Sequence, residues 1–361
     1  MSPAQFIDTP DSNWIRGAQE PFLIAGPCSI ESEEQLLTTA KDIAKTGIAS
    51  VIRAGVWKPR TRPGSFEGLG AISLKWLQRV KEETKLRVTT EVANAYHVEE
   101  ALKHDIDILW LGARTTVNPF YVQEIAEALR GSNVPVMVKN PIHADMGLWI
   151  GALERLNKVG VDKLCAIHRG FHSFESAPYR NQPKWEMVIE LKRLVPELPI
   201  ICDPSHIAGN RELIGEVSQI ALDLNLDGLM IETHCNPDKA LSDAQQQITP
   251  QQLNELLKGL QLRKSSSDNM QYMQRISELR TVIDGVDTEI LDLIAKRMNL
   301  ASEIGVYKRE NNVSIFQLQR FFEILKTRKL HGEAVDLSPK LIHELFELIH
   351  KHSIRIQTDM K

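Results

Sequence analysis

Cysteine is scarce in this 361-residue chain, and the four present (Cys28, Cys165, Cys202, Cys235) lie far apart. That excludes a disulfide scaffold and leaves each thiol free to be a core residue or a ligand. Excess charge of either sign is also missing: the formal net charge is -4 and the pI about 6.3. A broad electrostatic attraction to nucleic acid or anionic lipid is therefore excluded, and a metabolite is the expected partner. No stretch approaches the roughly 20 apolar residues of a membrane helix. The opening MSPAQFIDTPDSNWIRG has neither a basic n-region nor an apolar h-region, so a cytoplasmic enzyme is expected. No GxGxxG follows the first apolar run, which removes most support for dinucleotide binding.

What is present is a set of eight short β-rich runs between residues 22 and 234: FLIAGPCS, SVIRAGVW, RVTTEV, ILWLGAR, PVMVKN, KLCAIHRG, PIICDPSH and GLMIETH. Amphipathic helical segments separate them. Near-continuous apolar runs point to a parallel sheet buried on both faces, and eight βα units fit a (β/α)8 TIM barrel; an open doubly wound sheet is the alternative. Almost every run ends in Cys, Arg, Lys, Glu or His, the end where barrels build their sites, which favours the barrel.

The texture changes after Gln251. A helix, QQLNELLKGLQL, leads into the polar RKSSSDN, so residues 1–262 are assigned to the barrel, 263–269 to a linker and 270–361 to a second domain. That last segment carries only helical signals, with Ile276, Leu279, Ile283, Val286, Ile290, Leu293, Ile294, Leu300 and Ile304 at helical spacing. Loops near Asn311 and from Gly332 to Pro339 divide it into three helices.

Two constellations in the barrel carry chemistry. Cys28, His206, Glu232 and Asp243 fall at the ends of strands one, seven and eight and in the following loop. Singly, each reads as a core thiol, a turn histidine or a helix cap. Together on one face, a thiolate, an imidazole and two carboxylates suit a divalent transition ion better than Ca or Mg. The second set is cationic: Arg53, Lys58, Arg60 and Arg62 around strand two, then Arg114, Lys139 and Arg169 at the ends of strands four, five and six. Such a ring suits two small phosphorylated substrates.

In the helical segment, eleven residues separate Arg297 from Lys308, about 16 Å along a helix and within about 20° of one face. Two long side chains so placed converge on one small dianion. Arg280 lies 17 residues before Arg297, about 25 Å away, and reaches the same ligand only from a second chain. In an arbitrary bundle these would be solvated surface charges.

GPCSIES, RAGVWKPRTRPGSFEGLG, WLGARTTVNPF, MVKN, IHRGF, DPSH, IETH and LSDAQQQITP resemble the short type I, subgroup beta, 3-deoxy-D-arabino-heptulosonate 7-phosphate (DAHP) synthases over about residues 15–262. The segment Lys58-Pro59-Arg60-Thr61 separates them from octulosonate 8-phosphate synthases, which have an Ala-Asn-Arg-Ser type segment there. The resemblance implies a metal, Mn2+ or another transition ion, on Cys28, His206, Glu232 and Asp243. It places phosphoenolpyruvate on Arg53, Lys58, Arg114, Lys139 and Arg169, and erythrose 4-phosphate on Arg60 and Thr61. Asn140-Pro141 follows Lys139 where many relatives have Arg-Gly.

Residues 272–361, with ISELRTVIDGVDTEILDLIAKRMNLASEIGVYKRE and LIHELFELIHKHSIRIQ, resemble the all-helical chorismate mutases, which are intertwined dimers. The implied substrate contacts are Arg280 from the partner with Arg297, Lys308, Arg320, Ser353 and Gln357. Catalytic roles are expected of Lys139, Arg297 and Lys308, and association as a homodimer or larger through the helices. Gln317 stands where an Asp is common and Phe321 where a Glu often binds the substrate hydroxyl. Binding should survive better than turnover, so a prephenate- or chorismate-sensing module is the alternative to a second active site. A barrel aldolase with an unrelated oligomerisation module is a third possibility.

Overall fold

The computed structural model describes residues 11–17, 21–58, 64–174, 178–263 and 266–359. The chain divides into two compact units, residues 1–265 and 266–361. In the first, eight parallel strands close into a barrel: β1 (Phe22–Gly26), β2 (Val51–Arg53), β3 (Arg87–Val92), β4 (Ile108–Leu111), β5 (Val136–Lys139), β6 (Leu164–His168), β7 (Ile200–Cys202) and β8 (Gly228–Glu232). They pair in sequence order, and β8 closes on β1 with Phe22 opposite Gly228 and Gly26 opposite Glu232. The open doubly wound alternative is thereby excluded.

Most of these strands are shorter than the apolar runs that signalled them, because the polar tail of each run belongs to the loop above the barrel. Successive side chains along a strand point to opposite faces. Ile24, Val51, Ile108, Trp110, Met137, Cys165, Ile167, Ile201 and Met230 form one buried cluster inside the barrel. Their neighbours Leu23, Ala25, Ile52, Leu109, Val138, Ala166 and Leu229 belong to the larger cluster beneath the surrounding helices. At the opposite end from the loops, Ile15 joins the inner cluster and Trp14 packs edge-on against Phe22, their ring centroids 5.9 Å apart.

The period of two also decides where the strand-end charges go. Arg53, Lys139 and Glu232 each stand two residues after an inward side chain, so all three point into the mouth of the barrel. Gly26 makes room for this: its φ is +145°, and a Cβ there would lie 2.1 Å from the Arg53 carbonyl oxygen. Gly26→Ala is expected to cost about 3 kcal/mol or more, since backbone must move on two strands. A urea titration followed by near-UV circular dichroism measures it, and a change below about 1 kcal/mol would contradict the close approach.

The second unit consists of three helices, Met270–Glu310, Leu318–Glu333 and Pro339–Asp359. Asn269 caps the first through its side chain, which accepts from the Tyr272 amide. Gly305 lets the first and third helices approach, because a Cβ there would meet the Gln357 side chain at 2.9 Å. Along the same 41-residue helix, Leu279, Ile283, Val286, Ile290, Leu293, Leu300 and Ile304 remain exposed. Among the described residues no helix is long and apolar enough to cross a membrane.

Candidate active sites

The short helix Pro204–Ala208 starts immediately after β7, with Asp203 at its N-cap and proline in its first turn. The Asp203 side chain accepts from the His206 amide at 3.1 Å and meets His206 Nδ1 at 2.9 Å. Burial opposes the Asp203 charge, but His206, Lys139 and Arg53 hold its pKa well below the carboxylate range. An ionised Asp203 fixes the proton on Nδ1 and leaves Nε2 free to bind, 3.8 Å from Glu232 Oε1.

Cys28 follows β1, and its amide donates to Gln247 Oε1 at 3.0 Å. Its sulfur lies 3.3 Å from Asp243 Oδ2 and 3.0 Å from Lys58 Nζ. Donor atoms of Cys28, Glu232 and Asp243 all fall within 4.8 Å of one another. Burial, then Glu232, pushes the isolated Cys28 thiol up to about 12. Asp243 adopts a left-handed φ of +47°, an unfavourable conformation for aspartate, and Arg180 NH1 holds its carboxylate at 3.0 Å. Gln246 donates to Glu232 Oε2 at 2.7 Å and accepts from Arg180 at 2.7 Å, tying the loop to β8. The other oxygen, Glu232 Oε1, is buried without a well-formed hydrogen bond, although Arg53 NH2 sits 3.0 Å away as an ion pair. An under-bonded carboxylate oxygen beside a thiol, a second carboxylate and an oriented imidazole fits a divalent transition ion.

Beside this group lies the cationic set. Lys139 Nζ is 2.8 Å from Asp203 Oδ2, and both Lys139 and Arg53 pack over the Trp110 ring, at 5.8 and 5.1 Å from its centroid. Burial lowers the Lys139 pKa, and Asp203 opposes that shift. For Arg53, burial is outweighed by Glu232 and Asp203, so its charge is reinforced. Arg169 donates from NH1 to Asn181 Oδ1 at 2.8 Å, and burial brings its pKa down to about 10. Asn140 ties the ends of β5 and β6 together, accepting from the Arg169 amide at 2.7 Å and donating to the Gly170 carbonyl at 2.8 Å. Arg114 is exposed on the short helix Ala113–Thr116 above β4. Arg60 and Thr61, like Arg62, lie outside the described residues.

Sequence reading marked Asn140 only as a departure from the relatives' Arg-Gly, and did not single out Asp203, Trp110, Arg180, Gln246 or Gln247. Only Asp203 carried a local signal, as an aspartate before proline at a helix start.

His168 ends β6 on the outward face, fully buried among Trp149, Phe171 and Trp185. Burial, then Arg169, lowers its pKa to about 3. The unfolded chain therefore takes up a proton near pH 6.5 that the folded chain refuses until about pH 3. The stability from a neutral His168 is complete above pH 6.5 and is lost as pH falls, by up to about 1.4 kcal/mol per unit. His168→Phe should flatten the dependence of the urea midpoint on pH between 7 and 5, and an unchanged slope would refute this.

In the helical unit a cavity of about 410 Å3 is lined by Arg297, Lys308, Arg320, Ser353 and Gln357. Arg297 NH1 donates to Ser353 Oγ at 2.6 Å, and Lys308 Nζ donates to the Ile315 carbonyl at 2.6 Å. Arg280 is not on this wall. Gln317 is, and so are Arg328 and His350, both missed in the sequence. Helical spacing carried the signal: 317, 320, 324 and 328 share one face of the second helix, and 346, 350, 353 and 357 share one face of the third. Phe321 stacks on His350, ring centroids 4.6 Å apart and planes 29° from parallel.

A (β/α)8 barrel with buried cations beside a Cys, His and carboxylate group has the charge to take small anionic substrates, and the chain adds a helical unit with its own cationic cavity. The chain belongs to the DAHP synthetase I family, whose model matches residues 5–268, and residues 279–358 match chorismate mutase type II. It thus combines a DAHP synthase, a transferase, with a chorismate mutase, an isomerase, both of aromatic amino acid biosynthesis by the shikimate route. Phospho-2-dehydro-3-deoxyheptonate aldolase of Thermotoga maritima is 32% identical over 235 residues, 65% of this chain and 67% of the relative. A 2-dehydro-3-deoxyphosphooctonate aldolase of Desulfotalea psychrophila is 29% identical, spanning 71% of this chain and 95% of its own. The crystal structure of the Thermotoga maritima DAHP synthase superposes with a TM-score of 0.60 at 30% identity, covering 66% of this chain and 67% of that one. The DAHP synthase family is generally metal-dependent.

Proposed function

We propose that phosphoenolpyruvate and erythrose 4-phosphate are joined in the barrel mouth, with Cys28, His206, Glu232 and Asp243 holding a divalent transition ion such as Mn2+. When bound, that ion supplies Lewis acidity toward the aldehyde oxygen. Arg53, Lys58, Arg114, Lys139 and Arg169 hold phosphoenolpyruvate, and Arg60 and Thr61 receive the phosphorylated aldose. C3 of the enol ester forms the new carbon–carbon bond to the aldehyde carbon. C2 takes up water, and the hemiketal phosphate then collapses with release of inorganic phosphate. The buried cations fix the reacting geometry and offset charge on phosphate and carboxylate. The observation that carries this reading is the inward convergence of Arg53, Lys139 and Glu232 beside Cys28 and Asp243. Release of phosphate from the two substrates together, and from neither alone, tests it; no release would sink it.

The helical cavity rearranges chorismate to prephenate, with Arg297, Lys308, Arg320, Ser353 and Gln357 gripping the compact conformer and stabilising charge on the ether oxygen. No nucleophile or cofactor is needed. The exposed apolar row from Leu279 to Ile304 is covered by a second copy in a homodimer or larger assembly, whose Arg280 completes the site. Mixing inactive Arg280→Ala and Arg297→Ala proteins then restores up to about a quarter of wild-type mutase activity, because each mixed dimer keeps one intact site. Failure to complement after exchange of subunits would place Arg280 elsewhere. The enzyme works in the cytoplasm, which keeps its four cysteines as thiols.

Phe321 favours one second reading, a sensing role in which prephenate on the helices changes synthase activity. Synthase kinetics unchanged by saturating prephenate would exclude it.

A further inference from the structure

The cations of the helical cavity share one chemical limitation: guanidinium and ammonium groups donate hydrogen bonds and cannot accept them. A ligand that carries a hydroxyl beside its carboxylates needs an acceptor for the hydroxyl proton. Ser353 is already engaged, accepting from Arg297 and donating to the Ile349 carbonyl at 2.8 Å. Gln357, against Gly305, offers one acceptor, its buried Oε1, which has no partner among the described residues. Seven residues earlier on the same helix, about 10 Å away along its axis, the wall is formed by His350.

The His350 Nε2 atom is buried and has no hydrogen-bond partner among the described residues. Its ring stacks on Phe321 at 4.6 Å, and Phe316 closes a three-ring cluster, tilted 6.2 Å from His350 and 6.4 Å from Phe321. An imidazole held by a stacked aromatic ring at a cavity wall, with a buried nitrogen that no protein group satisfies, is a built position for a polar ligand atom that a small turn of the ring brings to the cavity. We infer that His350 contacts the substrate, its Nε2 taking the ring hydroxyl of the cyclic dicarboxylate while the cations hold the carboxylates and Gln357 serves the far end. Phe321 then acts as the positioning residue that orients the imidazole. Burial, followed by Arg297 and Lys308, keeps the His350 pKa below the ordinary histidine value, so the ring at neutral pH retains an accepting nitrogen. The inference rests on the cavity being the mutase site.

The experiment uses the full chain and two probes, chorismate and its 4-deoxy analogue, with affinities from calorimetry and kcat/KM for chorismate. His350→Phe preserves the stack and removes the nitrogen. It is expected to weaken chorismate by about ten- to hundredfold and to leave the 4-deoxy analogue within about twofold. His350→Gln, which restores a polar group, should recover part of the loss. Equal weakening of both probes, or no change in either, would overturn the contact; a thermal melt matching wild type rules out misfolding as the cause. Arg297→Ala separates the two levels: if it leaves both probes bound as tightly as before, the cavity is not the substrate site and the His350 contact falls with it.

Discussion

Lys139→Met is expected to lower synthase kcat/KM by about a thousandfold or more, with chorismate rearrangement by the same preparation unchanged. The size follows from where the ammonium sits. Lys139 is 4% exposed, inward-facing at the end of β5, and held by Asp203 against the Trp110 ring. A charge so placed is screened little by water and needs no reorganisation when substrate phosphate arrives. Methionine keeps the length and removes the charge, so packing changes little. Lys139→Arg should not rescue, because a longer, planar guanidinium cannot put one compact charge at the position the ammonium holds, 2.8 Å from Asp203 and 5.8 Å from the Trp110 centroid. Asp203→Asn has a different signature: the ammonium stays but loses its tether, and His206 loses the carboxylate that sets its tautomer. Metal affinity should then fall together with kcat. Full activity in Lys139→Met would remove the lysine from the reaction.

Chelation is the second large effect. Removing divalent metal should lower synthase turnover by more than about a hundredfold, recoverable with a transition ion, while mutase activity stays within about twofold. The contrast arises because the proposed donor set lies wholly in the barrel, whereas the helical cavity is lined by cations, amides, a hydroxyl, apolar side chains and the single imidazole of His350, with no thiol or carboxylate beside it. Loss of both activities together would mean that the metal supports the whole chain instead of one reaction. Retention of both would break the link between Cys28 and catalysis.

The barrel was legible because two signals agreed, eight apolar runs and a polar residue closing almost every one. Where each polar side chain points was legible only through strand parity. Arg53, Lys139 and Glu232 obey it, and His168 obeys it in the other direction, which is why it is buried among tryptophans and away from the mouth. Residues beyond the strands have no period to betray them. Arg180, Gln246 and Gln247 sit on loops, and their bonds to Asp243, Glu232 and Cys28 depend on how those loops return over the barrel. Asp203 was hidden differently: its role as a helix cap conceals its role as a hub for Lys139, Arg53 and His206. In the helices, Ser353 and Gln357 came from the resemblance to the chorismate mutases, and three-and-four spacing from either of them would have added His350.

The closure of β8 on β1 also sets a schedule for the newborn chain. Phe22 and Gly228 are neighbours in the barrel but 206 residues apart in sequence, so at about 5–20 residues per second β1 waits roughly 10–40 s on the ribosome for its partner. During that interval its edge stands open, and the sulfur of Cys28 has neither Glu232 nor Asp243 beside it. The proposed metal-binding group comes into being only at the last step of barrel assembly, so on that proposal ion selection falls to the finished barrel and not to the emerging peptide.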